Sequence, residues 1–387
     1  MKEVLIITNY YPPETGAASN RICHLAEGLS NNNCKVTVVT PLPNYPTGKI
    51  FKGYRNKFKK TSEEEGIKIV RLWIFASVSK NKFLRLIAML SYSFSLVWFF
   101  VFSKIPKTVI VQSPPLLVAC TSLFFLKSRK RNLILNVSDL WPLAGLKLQA
   151  FEEGFVYNLL KRIEKSNYKK ADLLLGQSQE ILMHVHSIFP NKNTFIYRNY
   201  PDFSFQSYIK PADKDEKIKI VYAGLLGIAQ GVLKLCHELD FSNIEFHIYG
   251  DGAEKNDLIA FLNAHPELPI IYHGEVSREK LHQELIQYDV AIIPLLKRIY
   301  GSVPSKIFEY SRLGLPIIYF GGGEGEDIIK QYKLGWVAEA SNYSALNAVI
   351  SDLIKDELTD ELRKGIIETS KTSFNFEIQL KKLIKKL

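Results

Sequence analysis

The chain reads as an α/β protein built from two doubly wound parallel sheets, and three observations predict this. Its 387 residues exceed what one core usually holds. Short apolar, β-branched runs recur along it, separated by stretches long enough for helices. The alternation then restarts after Tyr200–Lys217, a stretch rich in Pro, Asp, Lys and Ser with no hydrophobic period, which reads as a linker.

In the first half the runs are Val4–Thr8, Lys35–Thr40, Ile67–Trp73, Thr108–Gln112, Leu133–Val137 and Leu173–Gly176. In the second they are Ile218–Ala223, Ile244–Tyr249, Ile270–His273, Val290–Pro294 and Pro316–Tyr319. This predicts one domain over residues 1–200 and another over 217–373, with the closing segment 374–387 left over. The most apolar segment is Phe83–Phe102, and Leu86–Ser103 is an uncharged run of 18 residues, near the lower limit for a membrane span. The serines at 91, 93 and 95, and a strand following at Thr108, argue against spanning. The reading is a helix partly buried and partly exposed as an interfacial patch, full burial being the alternative. The flanking Lys80, Lys82, Arg85, Lys104 and Lys107 favour contact with anionic lipid.

Composition narrows the class. With 47% hydrophobic and 23% charged residues the chain is neither disordered nor fibrous. Cys23, Cys34, Cys120 and Cys236 lack any paired spacing, so neither a disulfide framework nor a zinc knuckle is expected, and a reducing compartment fits. The opening run Val4–Thr8 is too short for a signal-peptide core, so secretion is not expected. Residues 1–200 hold 28 Lys plus Arg against 12 Asp plus Glu, a net +16, whereas residues 201–387 hold 22 against 27, a net −5. The first half should therefore meet an anionic partner, phospholipid or nucleic acid, unless clusters such as Lys57, Lys59, Lys60 and Lys127, Arg129, Lys130, Arg131 are simply solvated.

In parallel sheets the ligand sits past the carboxyl ends of strands, so the residues there carry most weight. After the first run, Asn9 to Ser19 includes Gly16 among small neighbours, which lets a backbone approach a ligand. Ser113-Pro114-Pro115, Ser138-Asp139-Leu140-Trp141-Pro142 and Gln177-Ser178 follow later runs. In the second half, Gly224, Gly227 and Gly231 follow a strand with Gln230 among them, and Gly250 follows the next strand. Their spacing is not the dinucleotide fingerprint and no acidic residue ends the next strand, which disfavours NAD.

The stretch Tyr300 to Pro316 carries the most chemistry. Pro304 suits a first turn and Gly314 with Pro316 a stop, predicting a helix from about Val303 to Leu313. Its start would offer amides, the Ser302 and Ser305 hydroxyls and the Lys306 ammonium to a diphosphate. Glu309, one turn on, suits ribose hydroxyls.

Together with Pro12–Gly16, Pro43–Gly48, Asp139–Pro142 and Gly227–Gly231, this stretch resembles bacterial glycosyltransferase family four, of GT-B fold, over nearly the whole chain. Within that family it is most similar to a branch building O-antigen and capsule units with transferases of N-acetyl-fucosamine and related amino sugars. The resemblance implies two Rossmann-like domains facing a cleft, a UDP-sugar in the C-terminal one, a lipid-linked acceptor in the N-terminal one, retention of anomeric configuration, and no metal or other cofactor. It implies a cytoplasmic protein, peripheral at the inner membrane face, with residues 374–387 packing back on the N-terminal domain. It carries over a catalytic role for Asp139, Lys306 and Glu309, and substrate binding for Gly16, Gly224, Gly227, Gln230, Gly250, Ser302, Ser305, Lys306 and Glu309.

The chain departs from the family pattern in two places. The first carboxylate of the family's E-x7-E falls on Gly301, and the cations of its glycine loop are replaced by Leu225, Leu226 and Gln230, leaving Lys297, Arg298 and Lys306 to supply charge. The site corresponding to Asp139 is commonly a histidine. An epimerase of the same fold and a catalytically silent partner subunit are the rival readings; nucleic-acid binding rests on charge alone. Asp213-Lys214-Asp215 has D-x-D spacing but lies in the linker, and His184-x-His186 reads as a helix surface, so neither predicts a metal site.

Overall fold

The computed structural model describes residues 1–79, 81–147, 151–201, 203, 217–298, 300–353 and 357–387; Lys80 and Asp213–Asp215 lie outside them. In chain order the elements of the first half are β1 Lys2–Ile7, α1 Ala17–Asn31, β2 Cys34–Pro41, β3 Lys59–Glu64, β4 Ile67–Leu72, α2 Lys82–Phe102, β5 Thr108–Ser113, α3 Leu116–Leu126, β6 Asn132–Val137, α4 Leu143–Lys147, α5 Phe155–Lys170, β7 Leu173–Gly176, α6 Gln179–Ile188 and β8 Thr194–Ile196. The second half continues with β9 Ile218–Ala223, α7 Val232–Glu238, β10 Ile244–Tyr249, α8 Lys255–Ala264, β11 Ile270–Gly274, α9 Arg278–Leu285, β12 Val290–Pro294, α10 Lys306–Leu313, β13 Ile317–Phe320, α11 Glu324–Tyr332, β14 Gly335–Val337, α12 Tyr343–Asp352, α13 Asp360–Ser373 and α14 Phe376–Ile384.

Two units pack separately. Unit 1 comprises Met1–Asn199, Ile299–Ser302 and Glu377–Leu387; unit 2 comprises Tyr200–Arg298 and Val303–Phe376. The unit 1 sheet runs β3-β4-β2-β1-β5-β6-β7-β8, parallel except for β3, which pairs antiparallel with β4. Strands such as β5 are buried along their whole length, as expected of a parallel sheet covered on both faces. Leu5, Val39, Val111 and Leu135 pack there against Tyr92 and Leu96 of α2 and Val118 and Leu123 of α3. At the chain's end, Gln379 exchanges two hydrogen bonds of 2.9 Å with the Arg198 backbone, and the Leu387 carbonyl accepts from Thr108 Oγ1 at 3.2 Å and Asn132 Nδ2 at 3.1 Å.

α2 is amphipathic. Tyr92 and Leu96 are buried while Phe83, Leu90, Phe94, Trp98 and Phe102 are exposed at helical spacing. Among the described residues no helix is long and apolar enough to cross a membrane. Phe94, Trp98 and Phe102 line an apolar groove of about 500 Å³ with Phe58 and Trp73, and Lys59 lies on its wall.

The unit 2 sheet is wholly parallel in the order β11-β10-β9-β12-β13-β14. One face packs Ile220, Phe246, Ile248 and Ile292, the other Val221, Ala291, Ile293 and Ile317. The strand order reverses between β9 and β12, which leaves a crevice past their carboxyl ends where the two following loops turn to opposite faces.

Candidate functional site

At that reversal in unit 2 the loops after β9, β10 and β12 touch backbone to backbone. Gly224 N donates to the Tyr249 carbonyl at 3.0 Å and Leu226 N to that of Asp251 at 2.9 Å. A Cβ on Gly250, at φ +138°, would lie 1.8 Å from the Gly224 carbonyl oxygen, so no side chain fits there. Leu296 N and Lys297 N both donate to the Ala229 carbonyl, at 2.8 and 3.2 Å, tying the β9 and β12 loops together. Gly231, at φ +66°, lies against Leu296 and opens α7. Gln230 Oε1 is buried there with no hydrogen-bond partner.

Helix α10 hangs on this edge through Tyr310, whose buried hydroxyl donates to the Ala223 carbonyl, the last of β9, at 3.2 Å. The helix begins at Lys306, three residues later than the sequence predicts. Ile307 N bonds the Pro304 carbonyl at 3.1 Å, so only a tight i to i+3 turn precedes the first α-helical bond, from Glu309 N to the Ser305 carbonyl. Ser305 is the N-cap residue, yet its hydroxyl does not cap the helix.

Lys306 and Glu309 lie on one face because they are three residues apart on a helix. Their groups meet at 3.0 Å. Glu309 is buried and also accepts from His282 Nε2 of α9 at 2.8 Å, with Arg278 Nε at 3.8 Å. Burial alone would raise its pKa, but the Lys306 ammonium, the His282 hydrogen bond and Arg278 outweigh it and hold the carboxyl down at about 2. Phe203 stacks on His282 with ring centroids 4.2 Å apart, fixing the imidazole from its other side. The result is an ionised carboxylate beside a helix start, with Lys306 on one of its oxygens.

Unit 1 has its own polar edge past the ends of β1, β5, β6 and β7. Gly16, at φ +139°, is the N-cap of α1. Glu14, buried, accepts from the backbone of Asn44 at 2.7 Å and Tyr45 at 2.8 Å, which clips the Pro12–Gly16 loop to the Pro43–Gly48 loop. Arg71, fully buried, donates to the Pro12 carbonyl on the same loop. Farther along, Arg21 Nη1 donates to Ser138 Oγ at 2.5 Å, and Gln112 and Gln177 donate to the Ser138 hydroxyl and carbonyl. Asp139 follows, half-buried. Desolvation raises its pKa, opposed by the charge of Arg21.

Of the residues singled out from sequence, the structure groups Gly224, Gly227, Gln230 and Gly250 on the unit 2 edge, and Ser305, Lys306 and Glu309 on α10. Gly16 and Asp139 stand in unit 1, and Ser302 packs with that unit. Lys306 is ion-paired with Glu309, a juxtaposition the assignment of separate ligands to each side chain overlooked. Gly301 also has a packing reason: at φ +82°, a Cβ there would meet Ile181 and Leu140 at 2.8 and 2.9 Å, and its N–H donates to Glu180 Oε2 at 2.8 Å. Sequence reasoning missed His282, Arg278 and Arg21, which carry no local signal; Glu14 lies in the Pro12–Gly16 motif, but its bonds to Asn44 and Tyr45 were not read. It also passed over Gly321-Gly322-Gly323 after β13, where the Arg298 guanidinium packs within 2.3 Å of where a Gly323 side chain would start. Three glycines after a strand were a readable sign.

Residues 205–373 match the family model described as "Glycosyl transferases group 1". None of the curated proteins compared matches this sequence. Among solved structures, a sucrose-phosphate synthase from Thermosynechococcus elongatus superposes with a TM-score of 0.75 at 11% identity, covering 100% of this chain and 98% of that one. The lipopolysaccharide outer core galactosyltransferase WaaB gives 0.66 at 17% identity with both chains covered 100%. HepE of Anabaena, solved with UDP and glucose, gives 0.68 at 12% identity, covering 100% and 99%. At these identities the superpositions establish the fold. The chain is a glycosyltransferase of GT-B fold whose residues 205–373 match the glycosyl transferases group 1 model.

Proposed function

We propose that the protein is a retaining glycosyltransferase that moves a sugar, an N-acetylated amino or deoxyamino sugar, from a UDP-sugar to a lipid-linked saccharide in O-antigen or capsule synthesis. The observation that carries this reading is the start of α10. Ser305, Lys306 and the ionised Glu309 stand together on a helix anchored by Tyr310 at the strand-order reversal, where doubly wound sheets take their ligands. A diphosphate there meets amides at a helix N-terminus and one ammonium, and Lys306 exchanges part of its pairing with Glu309 for phosphoryl oxygens. Glu309, held deprotonated by Lys306, His282 and Arg278, accepts hydrogen bonds from ribose hydroxyls. As the sugar–phosphate bond breaks, negative charge grows on the leaving diphosphate, and preoriented amides and cations stabilise it more than the ground state. The family resemblance further assigns Gly16 and Asp139 to the transferred sugar. HepE, solved with UDP and glucose, and WaaB, a lipopolysaccharide outer core galactosyltransferase, support the substrate class.

The acceptor's lipid also fits this reading. The exposed Phe94, Trp98 and Phe102, beside Phe58 and Trp73 and with Lys59 on the groove wall, suit an interface of acyl chains and anionic headgroups. The protein would then work at the cytoplasmic face of a membrane as a peripheral enzyme, without nucleic acid or metal in its reaction. The test is a thermal-shift panel of UDP, UDP-N-acetylglucosamine and other nucleotide sugars, followed by transfer to lipid-diphosphate saccharides. Stabilisation by uridine nucleotides with product formed supports the reading; no response to any nucleotide overturns it.

A further inference from the structure

Past the carboxyl ends of β2 and β4 in unit 1, the chain from Leu42 to Phe58 and the chain from Trp73 to Val78 enclose a cavity of about 900 Å³. Its two walls are built together. A Cβ on Gly48, at φ +68°, would lie 2.3 Å from the Ser77 carbonyl oxygen, and Trp73 N donates to the Phe58 carbonyl at 2.8 Å. Lys49, Arg55 and Lys57 line the cavity and Lys52 joins them in an adjoining recess, while among the described residues no carboxylate lines either hollow. Arg55 Nε donates to the Ile50 carbonyl at 3.2 Å, which orients the guanidinium.

An independent observation adds positive charge behind this wall. Tyr54 lines the cavity, with Lys60 Nζ 4.0 Å and the Arg71 guanidinium 5.3 Å from its ring centroid. Arg71 is fully buried, yet its Nε and Nη1 have no hydrogen-bond partner among the described residues. Glu14, the buried carboxylate of the neighbouring loop, accepts from the Asn44 and Tyr45 amides and makes no ion pair with Arg71. A buried guanidinium so poorly satisfied is costly, and an anion in front of Tyr54 offsets part of that cost.

The order of chemistry along the loop selects the ligand. At its start, Tyr45 Cε1 lies 3.9 Å from where a Gly16 side chain would begin, and Gly16 is the position the family resemblance gives to the transferred sugar. The cations follow, and at the far end Phe58 and Trp73 belong both to the cavity and to the apolar groove of Phe94, Trp98 and Phe102. We propose that this cavity binds the diphosphate of a lipid diphosphate saccharide, with the saccharide towards Tyr45 and Gly16 and the lipid chain leaving over Phe58 and Trp73 into the groove. The inference rests on the transferase reading above and narrows its acceptor to a lipid diphosphate. A guanidinium fork with ammonium groups around it matches phosphoryl oxygens, and cations lining a hollow take one inserted headgroup, whereas a bilayer surface is met by cations on a protruding face.

The test is binding of the full protein to nonionic-detergent micelles carrying geranylgeranyl diphosphate, compared with the same micelles carrying geranylgeraniol or phosphatidylglycerol. The proposal expects the diphosphate lipid to bind at least tenfold more tightly than either. Arg55→Gln combined with Lys57→Gln, both exposed, should weaken that binding at least tenfold, whereas Arg129→Gln combined with Lys130→Gln, which removes the same charge from another exposed cluster, should change it less than twofold. Equal binding of phosphatidylglycerol, equal loss in the two double variants, or unchanged affinity in the first of them overturns the proposal. UDP binding is measured on the same proteins. Wild type that binds UDP but not the lipid diphosphate sinks this inference and leaves the donor reading standing; the reverse pattern sinks the donor reading and supports the cavity.

Discussion

Replacing Glu309 with Gln keeps the side chain's shape but removes a charge whose pKa the fold moves from its ordinary 4.5 to about 2. Each unit is worth about 1.36 kcal/mol, so the carboxylate's ionisation stabilises the native state by about 3 kcal/mol at neutral pH. Glu309 is buried, and solvent screening takes little from this figure. The sign follows from the direction. A carboxyl whose folded pKa is depressed contributes stability that is fully present above its unfolded value and is lost as pH falls through the folded one. Wild type should therefore exceed Glu309→Gln by about 3 kcal/mol at pH 7 and by roughly half that near pH 3. Urea unfolding of both proteins at pH 7, 4 and 3 measures this, with fluorescence from Trp336 of unit 2 as the reporter. A difference under about 1 kcal/mol at pH 7, or one constant across the range, refutes the electrostatic account of α10.

Gly301→Glu, which restores the family's carboxylate, should destabilise by about 2–4 kcal/mol, because the position has φ +82° and abuts Ile181 and Leu140. Thermal unfolding at wild-type temperature would contradict it. Gly250→Ala should cost at least about 2 kcal/mol and reduce nucleotide affinity, whereas Gly365→Ala, with nothing within 4 Å of the new methyl, should leave stability equal or higher by under about 1 kcal/mol. Paired denaturation curves decide this. Trp98→Asp should weaken binding to phosphatidylglycerol vesicles at least tenfold while the equally exposed Met183→Asp changes little; co-sedimentation with equal loss in both would remove the aromatic groove as the contact.

The buried parallel strands were legible because burial on both faces demands continuous apolar runs, as in β5 and β12. Of the four edge strands, β11 was read as Ile270–His273, whereas β3, β8 and β14 were not. β3, with the sequence KKTSEE, is half charged or more and exposed, so its Lys59 and Lys60 read as a solvated basic cluster although they pair with β4. β8 and β14 are three residues each, too short for any period. At the candidate site, local spacing carried Ser305, Lys306 and Glu309, since a helix start and its first turn are neighbours in sequence. His282 and Arg278 reach Glu309 from another helix, and Glu14 reaches Asn44 and Tyr45 across a strand and a helix; such contacts arise only from tertiary packing. The late start of α10 has a local cause that spacing does not resolve, the tight turn at Pro304.

The most direct measurement is calorimetric binding of UDP to wild type, Lys306→Ala and Glu309→Ala, together with a crystal structure of the UDP complex. The account predicts at least tenfold weaker binding in each variant, with the diphosphate against Ser305 and Lys306 and the ribose on Glu309. Equal affinity in all three proteins, or UDP seated away from α10, would contradict it.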